Sequence, residues 1–167
     1  MATKQTHSIY AIYCQDTEEV YIGRSANPKA RFKQHLSNKG CVVYEHASKY
    51  GKDHLYMVVL KSGIPAEQIC AYEAKYIYEF YFKVRLMNRT IPSFSNLVPF
   101  CTSAEATEQY CDLVDMVERD LNGDSPRVSV PTMKNRSTYY HWAKSLLEEV
   151  RIKAKKIEQA KTILQIS

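Results

Sequence analysis

Apolar positions along the chain change period several times, and each change marks an element. Ser8-Ile-Tyr-Ala-Ile-Tyr-Cys14 is a run of β-branched and aromatic residues that predicts a strand, and after the polar turn Gln15-Asp-Thr-Glu18 a second strand follows at Glu19-Val-Tyr-Ile-Gly23. The pair reads as a β-hairpin. Next, Asn27 is placed to cap a helix with Pro28 at its first position, and Phe32 and Leu36 fall one turn apart within it. Asn38-Lys-Gly40 ends that helix, a further helix is predicted over Val43 to Tyr50, and Leu55-Tyr-Met-Val-Val-Leu60 is a third strand. Pro65 is expected to open a long helix running to about Phe82, with Ile69, Tyr72, Tyr76, Ile77 and Phe80 near helical spacing. This order predicts an α/β fold: a short, mostly antiparallel three-stranded sheet covered by helices and complete by about residue 100.

Beyond that core, Thr102-Ser-Ala-Glu105 is a capping-box pattern before a helix carrying Leu113, Val114, Met116, Val117 and Leu121, expected to pack on the core over residues 101–121. Residues 122–136 are rich in turn formers and read as a linker made basic by Arg127, Lys134 and Arg136. A final helix over residues 137–167 places Trp142, Leu146 and Val150 on one side among many lysines. Packing on the core, dimerisation and contact with DNA all remain open for this helix. No heptad is sustained, because Lys153 falls on its apolar seam.

Composition narrows the class. At 167 residues with 45% hydrophobic and 25% charged content, the chain suits one folded unit with an appendage. No apolar run approaches the roughly 20 residues of a membrane span, and Met1-Ala-Thr-Lys-Gln-Thr-His7 lacks the apolar stretch of a signal peptide. A cytoplasmic setting, in a bacterium or a phage-infected host, and no membrane partner are therefore expected. Five cysteines without CxxC pairs favour reduced thiols over disulfides or a zinc site. A net charge of +5 leans weakly towards an anionic partner.

The candidate chemistry lies in the first hundred residues. Tyr10 and Tyr21 stand on the two hairpin strands, where a short turn could bring both hydroxyls to one side. Gly23 sits where the second strand hands over to the helix, and Arg31 and His35, four apart, share a helix face that could turn towards the tyrosines. Glu73 interrupts the apolar face of the long helix. A carboxylate there is costly to bury without a metal or a cationic partner, and a single carboxylate with several waters suits magnesium. Each residue also has a structural reading: ordinary strand tyrosines, a solvated helix face, and a Glu73 paired with Lys75 or Arg31.

In order, Ile9-Tyr10, Val20-Tyr-Ile-Gly23, Arg31, His35, Lys49-Tyr-Gly51, Glu73 and Asn88 resemble the GIY-YIG nuclease pattern over about the first ninety residues. The first motif departs from it in having Ser8 where the family carries glycine. The tyrosine presents the functional group there, so nothing catalytic is lost.

The resemblance implies a small GIY-YIG-like layered domain over residues 1–100 with a helical C-terminal extension. It also implies a single-metal, one-step hydrolysis of DNA that leaves 5'-phosphate and 3'-hydroxyl ends. Mg²⁺ is the expected cofactor, with Mn²⁺ able to substitute, and Glu73 its ligand. One of Tyr10 and Tyr21 acts as general base, Tyr10 being favoured, its high ordinary pKa having to be lowered by nearby cations. Arg31 clamps the scissile phosphate, His35 assists there or relays a proton, and Asn88 pins backbone near the site. Arg24 contacts the DNA backbone or the Tyr21 hydroxyl, and with Lys33, Arg127, Lys134 and Arg136 makes up the expected DNA-binding set. Double-stranded DNA is the expected partner, with a homodimer possible. Nicking or cutting of both strands stays open, as does a phage, homing, restriction or repair setting. The rival reading, from a different class, is a catalytically silent nucleic-acid-binding module on the same fold. A third is a structural partner acting through the last helix.

Overall fold

The computed structural model describes residues 3–123 and Ile152. The predicted linker and final helix, with Arg127, Lys134 and Arg136, lie outside the described residues.

Strand β1 (Thr6–Cys14) is the middle of a three-stranded antiparallel sheet, with β2 (Val20–Ser25) on one side and β3 (Leu55–Pro65) on the other. Its central place explains its unbroken apolar run, because a strand covered on both faces has no solvent side to alternate towards. Ile9 and Ala11 point to one core with Val20, Ile22, Ile77 and Phe80, while Tyr10 and Ile12 point to another with Val43, Ala47 and Leu55.

Helices α1 (Pro28–Ser37) and α2 (Val42–Tyr50) cover the Tyr10 face. Helix α1 starts as the sequence predicts, with Pro28 at its first position and the Asn27 side chain accepting from the Ala30 N–H at 3.2 Å. Helix α3 (Ile69–Phe80) covers the opposite face of the sheet. Its other side packs through Ala74 and Tyr78 against Leu97, Tyr110, Val114 and Val117, the last three from helix α4 (Ala104–Leu121). The order of layers is thus α1 and α2, sheet, α3, α4.

Three details differ from the sequence reading. Pro65 ends β3 instead of opening the long helix: the strand runs on past Leu60 because Thr6 and His7 of β1 pair with Pro65 and Ile64. A proline is tolerated there because β3 is an edge strand. A 3-10 turn, Ala66–Gln68, then precedes α3, which stops at Phe80. At α4 the cap is Ser103, accepting from the Ala106 N–H at 3.1 Å, so Thr102 and Glu105 do not form the expected capping box.

The chain after α3 returns to the free edge of β2, an addition the sequence reading lacked. Val20 bridges in parallel to Leu86, with Val20 N–H donating to the Arg85 carbonyl at 2.9 Å and Met87 N–H to the Val20 carbonyl at 2.8 Å. This brings Asn88 beside Ile22. No helix among the described residues is long and apolar enough to cross a membrane.

Candidate active site

Register and alternation decide which side chains meet. Tyr10 is opposite Gly23 and Ile12 opposite Tyr21, so Tyr10 and Tyr21 occupy one face as diagonal neighbours, with ring centroids 6.4 Å apart. The Tyr10 ring lies across Gly23. A Cβ on residue 23 would come within 2.5 Å of its Cζ and hydroxyl oxygen, which is the physical reason for glycine at this position.

Helix α1 lies over the same face and delivers His35, only 4% exposed, whose Nε2 is 2.9 Å from the Tyr10 hydroxyl. The Tyr21 ring meets the His35 ring edge-on at a centroid distance of 5.0 Å. Arg31, one turn earlier on α1, is exposed and donates to the Gln34 side chain at 3.0 Å. Its charge is felt at Tyr10, Tyr21 and His35. Lys33 stands on the exposed surface of the same helix.

Glu73 reaches the site from α3, on the far side of the sheet, beside the open end of β2. Its ionic partner is Arg24, with Nε 3.6 Å from Oε1, and neither Lys75 nor Arg31 takes that place. Lys75 lies over the Phe100 ring instead, 5.0 Å from its centroid. Arg24 alternates with Gly23 and so turns to the α3 face, while lining the same cleft as Tyr21. There its Nη1 also donates to Cys70 Sγ at 2.9 Å.

Asn88 holds β2 by a side-chain copy of strand pairing. Its Oδ1 accepts from Ile22 N–H at 2.9 Å and its Nδ2 donates to the Ile22 carbonyl at 2.8 Å. It continues the pairing begun at Val20 for one more step, and beyond it the end of β2 is free to face a cleft.

That cleft, of about 440 Å³, is lined chiefly by polar groups, including Tyr10, Tyr21, Arg24, Arg31 and Glu73. His7 lines it as well, with an Nδ1 that is buried and has no hydrogen-bond partner among the described residues. Sequence reasoning gave His7 no chemistry, because it has no ligand-like spacing to the other histidines. Alternation puts His7 on the Ile9 side of β1, the side of Arg24 and Glu73, and the cleft at the end of β2 takes residues from both faces of the sheet. His46 and His54, also given no chemistry, are tied to Glu19 at 3.2 Å and Asp16 at 2.6 Å in and beside the hairpin turn.

Burial governs the titration of the site. It raises the Tyr10 pKa well above the ordinary phenol value, helped by Tyr21 and opposed by Arg31, and it raises Tyr21 with help from Glu73. Of the two cations expected to lower a tyrosine, Arg31 and the metal, Arg31 alone does not offset desolvation. His35 is lowered to about 4 by burial and then by Arg31, so its imidazole is neutral at physiological pH. Glu73 is raised by burial, with Arg24 acting against the rise.

The donor set fits magnesium better than zinc. No group of three or more His, Cys, Asp or Glu suited to a metal is present among the described residues, which leaves Glu73 as one carboxylate in a roomy polar cleft. A hydrated Mg²⁺ needs little more from the protein, whereas zinc takes three or four protein ligands.

Comparison with known proteins agrees with this arrangement: residues 6–84 match the family model described as the GIY-YIG catalytic domain. Neither the curated proteins nor the solved structures gave a match.

Proposed function

Since the chain belongs to the GIY-YIG family through a nuclease-type domain at residues 6–84, we propose that it is a divalent-metal-dependent endonuclease that hydrolyses DNA phosphodiester bonds. The observation that carries this reading is the convergence of Tyr10, Tyr21, Arg31 and Glu73 on one polar cleft, with His35 bonded behind Tyr10.

The chemistry follows from the groups present. With His35 neutral and carrying its proton on Nδ1, the Tyr10 hydroxyl donates to Nε2 across 2.9 Å, and its oxygen, which also takes a hydrogen bond from Arg31, keeps a lone pair to accept a proton from water. As the water oxygen bonds to phosphorus, its proton passes to the Tyr10 oxygen and the Tyr10 proton passes to His35. No free phenolate is required, which suits a tyrosine whose pKa is raised. Burial and then Arg31 hold His35 neutral, and an arriving phosphate offsets the Arg31 part, so the imidazolium becomes easier to form as substrate binds.

Arg31 offers a planar, permanently charged fork for the phosphoryl oxygens. Tyr21, held edge-on to His35, orients the water or a phosphate oxygen. Glu73 would hold a divalent ion, Mg²⁺ with Mn²⁺ as substitute, which would supply positive charge against the negative charge growing on the phosphate. The displaced 3' oxygen takes its proton from solvent, leaving 5'-phosphate and 3'-hydroxyl ends.

The test is cleavage of supercoiled plasmid with Mg²⁺, with Mn²⁺ and with EDTA, by the wild-type protein and by Glu73→Gln, Arg31→Ala and Tyr10→Phe. A gel shift checks that each variant still binds DNA. Metal-dependent nicking or linearisation that the variants lose supports the reading. Tight binding with no cutting of plasmid, single-stranded DNA or RNA would replace it with a catalytically silent binding module.

A further inference from the structure

Tyr21, Arg24 and Glu73 border a second cavity, of about 490 Å³, as well as the catalytic cleft. They form the partition between the two spaces. On the catalytic side the walls come from β1, the end of β2 and Arg31; on the other they come from the loop between α1 and α2, from α3 and from the segment 88–96.

The two spaces differ in chemistry. The first presents hydroxyl, guanidinium and carboxylate groups, as a phosphate and a hydrated cation require. The second is divided between apolar and polar surface: the buried Ile22 and Ile77 form its floor, and the exposed Arg89 and Thr90, with the half-buried Asn96, form its rim. An ion pair from Arg89 to Glu45 of α2 ties that rim to the opposite wall. Asn88 is spent on Ile22 and serves only as wall, whereas Asn96, whose Nδ2 is held by the Ser93 carbonyl and hydroxyl, keeps its Oδ1 as an acceptor.

A strand whose phosphate lies in the first space must continue past the partition, and its next unit is a nucleoside. That group has apolar faces and a polar edge, and a cavity of this size and mixed lining suits it where a purely ionic cleft would not. We propose that the second cavity binds the nucleoside adjoining the scissile phosphate, turned out of the base stack, with Thr90 and Asn96 at its edge. The inference rests on the nuclease reading and adds a substrate subsite to it. Unstacking is unfavourable and is offset by pocket contacts, as in other enzymes that extrude a base.

The bond cut most strongly in plasmid is mapped and rebuilt in an oligonucleotide duplex. Single-turnover rates are then measured on that duplex and on versions with an abasic tetrahydrofuran residue immediately 5' or immediately 3' of the bond. Wild-type protein should cut one of the two abasic duplexes roughly tenfold more slowly than the intact one, the scale of one lost base contact. Thr90→Phe, which fills the cavity from its exposed rim, should slow the intact duplex about tenfold yet match wild type on that abasic duplex. Asn96→Ala should show the same coupling in smaller measure, and serves if Thr90→Phe fails to fold by thermal unfolding. Losses of equal size on intact and abasic duplexes, or no loss with either variant, overturn the subsite while leaving the nuclease standing. Absence of plasmid cutting by the wild-type protein overturns the nuclease reading and the subsite with it.

Discussion

The Tyr10 ring occupies the space that any side chain on Gly23 would need. An added Cβ would lie 2.5 Å from the ring Cζ and hydroxyl oxygen, and backbone on β2 has no rotamer with which to give way. Tyr10 would have to move, and it is 1% exposed and bonded to His35.

Gly23→Ala is therefore expected to cost about 1–3 kcal/mol of stability, the usual range for overpacking a filled core. It should also abolish most plasmid cutting under conditions where the variant is still folded, because the Tyr10 hydroxyl leaves the His35 Nε2. Urea denaturation and a cleavage assay on the same preparation check the two effects. Normal activity with reduced stability would show that the hydroxyl position is not critical.

How far the sequence carried this reading depended on whether the signal was local. The hairpin, Asn27 with Pro28, and the α3 stripe are short-range patterns, and the structure has them where the pattern puts them. Placement of Tyr10 and Tyr21 on one face needed only alternation and a short turn. What escaped depends on distant contacts. The partner of Glu73 is Arg24, forty-nine positions earlier, and no local spacing distinguishes it from Lys75 or Arg31. His7 enters the cleft from the α3 side with Arg24 and Glu73, a meeting of distant residues that its own spacing does not mark. The sign of the tyrosine shifts depends on burial, which outweighed the visible nearby charge.

His35 offers a test through pH. Its folded pKa, about 4, lies below the ordinary 6.5, so the folded state binds fewer protons than the unfolded one between those values. That contribution to stability is present above pH 6.5 and is lost as pH falls towards 4. In His35→Gln the loss should disappear, and denaturant midpoints measured from pH 4 to 7 should show a shallower acid decline than wild type. Unchanged acid sensitivity would mean that the ring is not held neutral by the fold.

Asn88 acts on Ile22 through both ends of its amide. Asn88→Ala leaves an N–H and a carbonyl of a residue that is 1% exposed without those partners, at a cost of about 1–3 kcal/mol. Asn88→Asp should be destabilising too, because a carboxylate can accept from the N–H but faces the Ile22 carbonyl with a second acceptor. Thermal unfolding of both variants checks this. An Asp variant as stable as wild type would show that the Nδ2 donation carries no weight.

Glu79 lies outside the site, buried between α3 and α4, and titrates in the opposite direction to His35. Burial raises its pKa to about 7 from an ordinary 4.5, with Lys75 and the Tyr110 hydroxyl, 3.3 Å from Oε1, acting against the rise. Its Oε2 has no hydrogen-bond partner among the described residues. The folded state therefore holds a proton that the unfolded state has released between pH 4.5 and 7, and stability falls as pH climbs through that window. Glutamine keeps an acceptor for Tyr110, has the same shape and does not ionise. Glu79→Gln should be more stable than wild type above pH 7, by roughly 1–3 kcal/mol, and equal to it near pH 4. Urea midpoints at pH 4.5, 6 and 8 decide the matter: a gain that grows with pH identifies a strained buried carboxylate, whereas a loss at pH 8 would mean that the ionised form is paired and stabilising.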